Sequence, residues 1–130
     1  MPNPSSTIEQ FSRFGFAETL SRLTSSVESA GMTVFAQVDH SASARTAGLS
    51  LPPTVVILYG HPKGGTPVMA AVPLTALDLP LKVLVRERPD GKVVIAWHPI
   101  SQILGDAGVD GALITPLAAA QIRPFEGMAT

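Results

Sequence analysis

The passage from Thr54 to Lys82 constrains this chain more than any other. It opens with Thr-Val-Val-Ile-Leu-Tyr (54–59) and runs directly into Gly60-His61-Pro62-Lys63-Gly64-Gly65-Thr66-Pro67. A nearly unbroken apolar run of this kind is apolar on both sides of the pleat. It predicts a central strand, covered on both faces or set at a dimer contact. Gly64 and Gly65 then predict a sharp turn with uncovered amides. Thr66 would cap a short helix, with Pro67 at its first position and Val68, Met69 and Val72 continuing it. Free N–H groups, the positive end of a helix dipole and the Lys63 ammonium would then stand together, which is an anion-binding arrangement. It is not a Walker loop, because the Gly-x4-Gly-Lys-Ser/Thr order is absent. The competing reading is plain connecting structure with a solvated lysine.

The segment ends in Leu77-Asp78-Leu79-Pro80-Leu81-Lys82. Pro80 holds Leu79 extended and begins a strand without needing its own donor. Lys82 is then either a second cation facing the same cleft as Lys63 or an exposed strand residue whose stem passes its apolar neighbours.

The rest of the chain reads as one domain over residues 1–130, with residues 1–7 a flexible tail. Ile8 to Phe14 predicts a short first strand. Phe16, Leu20, Leu23, Val27 and Ala30 mark one face of a helix that Gly31 stops. Met32 to Val38 predicts a strand, and Asp39-His40-Ser41 caps a short helix through Ala47, closed by Gly48. Leu81 to Glu87 and Val93 to Trp97 predict a hairpin around Asp90-Gly91. Ile100 to Leu104 predicts a helical turn ending at Gly105, and Leu113 to Ile122 a helix capped by Thr115 with Pro116 at its first position. The fold class is α+β: a two-layer sandwich in which an antiparallel-rich sheet of four to five strands carries helices on one face.

Composition narrows the partners. Nine Lys and Arg are scattered among ten Asp and Glu, for a net charge of -1, so no basic stripe is present to hold nucleic acid. Charged residues are only 15 % of the chain, which leaves few groups to solvate the surface and predicts a homodimer. There are no cysteines, which excludes disulfides, thiolate metal sites and cysteine nucleophiles. No signal-peptide pattern opens the chain and no apolar run reaches the ~20 residues that span a bilayer, so a cytoplasmic protein without membrane contact is expected.

Four stretches together resemble a known family. They are Ala47-Gly48-Leu49 through Pro53-Thr54; Gly60-x-Pro62-Lys63-x-Gly65-Thr66-Pro67-x-Met69; Leu77 to Lys82; and Asp90-Gly91-Lys92-Val93. In this order and spacing they resemble the bacterial domain-of-unknown-function 302 family, from the first helix to the second hairpin strand. The resemblance implies a small α+β domain, often dimeric, with no established activity or cofactor. The chain departs from the family pattern at His61, where Asn is usual, and at Trp97-His98, where a Tyr-Asn or Tyr-Ser pair is usual.

The three histidines, His40, His61 and His98, each follow a predicted strand end. Convergence would make a three-histidine zinc site conceivable, although neighbouring strand ends of an antiparallel sheet alternate sides and no His-Glu-x-x-His motif is present. No Gly-x-Ser-x-Gly elbow and no carboxylate pair stands out. The expected function is therefore a binding or sensory module rather than an enzyme, without cofactor or metal. Its polar or anionic ligand would sit at the loop His61, Lys63, Gly64, Gly65 and Thr66, with Lys82, His40 and His98 nearby. The alternatives are a homodimeric structural or interaction module and a histidine-based metal-dependent enzyme.

Overall fold

The computed structural model describes residues 6–130. Five strands form one antiparallel sheet in the order β1-β5-β4-β3-β2. They are β1 (Ile8–Phe11), β2 (Thr33–Asp39), β3 (Thr54–Gly60), β4 (Leu81–Glu87) and β5 (Val93–Trp97). Five helices accompany them: α1 (Phe16–Ser29), α2 (His40–Thr46), α3 (Pro62–Ala71), α4 (Ile100–Asp106) and α5 (Gly111–Ile122). The α+β class and the antiparallel sheet read from the sequence are what the chain adopts. Of the expected tail over 1–7, residues 1–5 lie outside the described residues, and Thr7 Oγ1 is 3.0 Å from His98 Nδ1.

The core lies on one side of the sheet. Ile57 and Tyr59 from β3, Leu81, Val83 and Val85 from β4, and Ile95 and Trp97 from β5 face Leu23 and Val27 of α1, Leu104 of α4 and Leu117 of α5. The period of two along each strand puts Val56, Leu58 and Leu84 on the other side. These three are only half-buried. β3 does take an interior position, between β4 and β2, but only one of its faces is fully covered, not both as its unbroken apolar run predicts.

Local chemistry explains the elements that were read correctly. Gly31 takes a φ of 80° just beyond α1, where an L side chain would be strained. Gly91 takes 83° in the β4–β5 turn, which is closed by Arg88 N–H donating to Lys92 O at 2.8 Å. Asp39 caps α2 by accepting from Ala42 N–H at 2.9 Å.

Both Thr-Pro helix starts need correction. α3 begins at Pro62, not after Thr66, and Gly64-Gly65 lies within its first turns rather than forming a turn ahead of it. His61 provides the cap, its Nδ1 accepting from Lys63 N–H at 3.0 Å, and Pro62 occupies the first helical position. The rule that favoured Thr66-Pro67 applies five residues earlier, at His61-Pro62. In α5 the cap is Asp110, which accepts from Ala112 N–H at 3.2 Å, and Pro116 falls inside the helix. Two further boundaries moved by more than one residue. β1 stops at Phe11, and α4 runs through Gly105 to end where Gly108 takes a φ of 84°.

One buried side chain joins the layers. Gln121 of α5 accepts from Ile100 N–H through Oε1 and donates from Nε2 to His98 O, both at 2.9 Å. Its backbone carbonyl accepts the Tyr59 hydroxyl at 2.6 Å. A buried amide whose donor and acceptor are both used fixes α5 against the ends of β3 and β5.

Candidate functional site

Where β3 passes into α3, the chain leaves a cleft of about 380 Å³. Its floor is Tyr59 and Leu81, neighbours across β3 and β4. Met69 of α3 and Leu117 of α5 form one wall, and Phe35 of the edge strand β2 forms another. The mouth is bordered by His61-Pro62, Gly65-Thr66 and Leu79-Pro80, the last pair joined by a cis peptide bond.

The two adjacent glycines serve different contacts. A Cβ on Gly64 would stand 3.2 Å from Leu117 Cδ2, so this glycine lets α3 approach α5 closely. A Cβ on Gly65 would meet Leu79 Cδ1 at 3.5 Å and Met69 Cε at 3.6 Å, which is ordinary contact. Packing alone would tolerate alanine at Gly65, and its hydrogen opens the cleft.

Of the residues expected to form a ligand site, His61, Gly65 and Thr66 border the cleft. Lys63, Gly64, Lys82, His40 and His98 are not among its lining residues. Lys82 stands opposite Leu58, one step out of phase with Leu81 and Tyr59, so its side chain leaves on the other face of the sheet. Lys63 is an exposed residue of the first turn of α3. The histidines do not converge. Asp39 pairs with Val55 at the start of β3, whereas Thr33 pairs with Gly60 at its end, so His40 lies at the opposite end of the sheet from His61. His98 lies at the same end as His61 but two strands away, roughly 10 Å at ordinary strand spacing. Among the described residues no group of three or more His, Asp or Glu side chains is placed to hold a metal ion.

The expected anion cradle lacks its donors. Pro62 has no N–H, Lys63 N–H goes to the His61 ring, and Gly64 and Gly65 N–H both reach His61 O, at 3.0 and 3.3 Å. The first turn of α3 is thus satisfied by its own capping residue. Because His61 Nδ1 accepts a hydrogen bond, the neutral ring carries its proton on Nε2. Tyr59 offers the cleft only its ring. Its hydroxyl is committed to Gln121 O, and burial pushes its ionisation well above the ordinary range.

The sequence reading missed most of the walls. Met69 reads as core filler, and Phe35 and Leu117 are ordinary apolar positions of a strand and a helix. Tyr59, Leu79 and Leu81 lie inside the segment singled out, but nothing local says their side chains meet over a void. The one signal available was the glycine pair, whose freedom is used for approach and for space instead of for a turn.

Comparison with known proteins agrees with the fold. The family described as "Domain of unknown function DUF302" matches residues 8–125, and the chain belongs to it. The crystal structure of the uncharacterized conserved protein DUF302 from Bacillus stearothermophilus superposes with a TM-score of 0.79. It is 23 % identical, and the match covers 92 % of this chain and 93 % of that one. Two curated relatives are 46 % identical over 82 residues, which is 63 % of this chain. They are the fluoride-specific ion channel FluC 1 of Brucella suis biovar 1 (strain 1330) and FluC 1 of Brucella abortus biovar 1 (strain 9-941). The chain spans about a third of their length, 32 % and 30 %. No helix among the described residues of this chain is long and apolar enough to cross a membrane.

Proposed function

We propose that this DUF302 domain is a non-catalytic binding module whose ligand occupies the cleft between β3, β4, α3 and α5. The observation that carries this reading is a 380 Å³ cleft at the junction of β3 and α3, floored by the fully buried Tyr59 and Leu81. Small-molecule sites have this character: concave, mainly apolar, with a few polar groups at the mouth. His61 and Thr66 hold the polar end of the ligand, which keeps part of the site expected from the sequence. Lys63 and Lys82 act outside it. The test is amide-shift mapping of the labelled protein against a fragment collection. Shifts gathered on Gly60, Gly65, Met69 and Leu81 support the reading. Shifts scattered over the surface, or none, refute it.

A second reading is homodimerisation, favoured by the exposed edge of the sheet. The edge strand β2 is exposed at six of its seven positions, Phe35 by 52 % and Val38 by 39 %. It carries no Lys or Pro to discourage pairing. The expectation is a sedimentation mass twice that of the chain, falling to the monomer value in Val38→Lys. A concentration-independent monomer speaks against it.

The Brucella proteins suggest a setting for the module. In this setting the domain works beside a membrane channel and reports on a ligand of its own. An apolar cleft with no free amide or ammonium suits no small hard anion, so the ion itself is not its ligand.

A further inference from the structure

We infer that the cleft selects an uncharged ligand: a mainly apolar molecule with a single hydrogen-bonding oxygen, of which either charged analogue is rejected. The inference rests on the binding role proposed above and adds the chemistry of the ligand.

Four observations lead to it. First, the interior surfaces come from Phe35, Tyr59, Met69, Leu81 and Leu117, none of which offers a free polar atom. Aromatic rings and a thioether recognise hydrocarbon and ring faces alike. Second, among the described residues no Lys, Arg, Asp or Glu side chain lines the cleft. Lys82 leaves on the far side of the sheet, and the three ion pairs among the described residues, Glu18–Arg22, Glu9–Arg86 and Asp90–Arg88, all lie elsewhere. A carboxylate or ammonium entering here would lose its hydration without gaining a counter-charge, which is the costly case.

Third, the backbone supplies no anion site. Pro62 and Pro80 bring no N–H to the mouth, and Gly65 N–H is bonded to His61 O. Fourth, two polar groups do remain at the mouth. With Nδ1 accepting from Lys63 N–H, the His61 ring has its Nε2–H left to donate, and the Thr66 hydroxyl makes no hydrogen bond among the described residues. Two donors beside an apolar chamber match one alcohol, ether or carbonyl oxygen. At about 380 Å³ the chamber is at the small end of ligand sites, so the body is a short alkyl chain or one ring.

The experiment uses two matched sets of probes on the intact protein: octanol, octanoate and octylammonium; and benzyl alcohol, benzoate and benzylammonium. Affinities come from amide shifts of cleft residues at neutral pH. The neutral member of at least one set should bind at the cleft at least about tenfold more tightly than either charged member, the scale of an uncompensated buried charge even after partial hydration. Thr66→Val should weaken the alcohol about fivefold, one hydrogen bond's worth, and leave toluene binding unchanged. A charged member that binds the cleft as tightly as its alcohol overturns the inference while the binding role stands. Absence of cleft shifts with both sets and with toluene overturns both.

Discussion

Tyr59 is the only tyrosine of the chain, which makes it a private reporter of the core. Its hydroxyl donates to Gln121 O at 2.6 Å, and burial raises its ionisation far above the ordinary value of about 10. A raised acid means that the neutral form is favoured by folding. Its stabilising share is complete below about pH 10 and is lost as pH climbs beyond that, because only the unfolded chain ionises easily there. Alkaline titration should therefore show no tyrosinate absorbance near pH 10–11, about where a free phenol turns. The band should appear only together with loss of the folded circular dichroism. Tyr59→Phe should be less stable at neutral pH by about 1 kcal/mol, through the deserted carbonyl, and should lack this residue's share of the alkaline decline. Gly65 gives the converse test. Alanine there meets only ordinary contacts, 3.5 Å to Leu79 Cδ1 and 3.6 Å to Met69 Cε, and removes the helical penalty of glycine. Gly65→Ala should raise stability by about 0.5–1 kcal/mol in urea titration and weaken whatever occupies the cleft. A gain in stability with unchanged cleft binding would mean that this glycine has no part in the site.

Elements were legible where the signal is local. The β4–β5 hairpin, α1 and the β3 run are each written within a few residues: a turn dipeptide, a helical stripe and an apolar block. The starts of α3 and α5 were misread because each chain segment offers two capping possibilities. Propensity ranks threonine well, yet His61 and Asp110 are the residues whose side chains meet the first-turn amides. The cap at Asp39 was read correctly and is testable at this scale. Ser41 Oγ donates to its carboxylate at 2.6 Å and Ala42 N–H at 2.9 Å, and these bonds hold its ionisation below the usual carboxylate range. A lowered acid stabilises above the unfolded value of about 4 and loses that share as pH falls through the folded value. Asp39→Asn retains a capping oxygen without the charge. Its urea midpoint should fall less steeply than that of the parent as pH is lowered from about 6 to 3. Parallel acid limbs would show that the carboxylate contributes nothing to holding α2.

The whole molecule is closed by pieces that no local pattern announces. β1 joins β5 across most of the chain, and the last residues come back over it: Arg13 N–H donates to Met128 O at 2.8 Å, and Thr130 N–H to Phe11 O at 3.3 Å. Phe125 sets its ring 4.4 Å from that of Trp97, and Met128 is only 3 % exposed. The sequence of this stretch, Arg123-Pro-Phe-Glu-Gly-Met, has neither helical stripe nor strand alternation, so its burial follows from where α5 ends and not from its own residues. The cleft is hidden from sequence for the same reason, since Phe35 and Leu117 line one cleft only after β2 and α5 have both been placed beside the β3–α3 junction. If the closing segment is structural, removing residues 126–130 should cost about 2–4 kcal/mol, the scale of one buried methionine plus lost backbone bonds. Met128→Ala alone should account for most of that cost, because exposed Glu126 and Gly127 add little. Urea titration of the two variants separates the contributions. A truncation no more costly than a surface change would assign the closure of this edge to β1 alone.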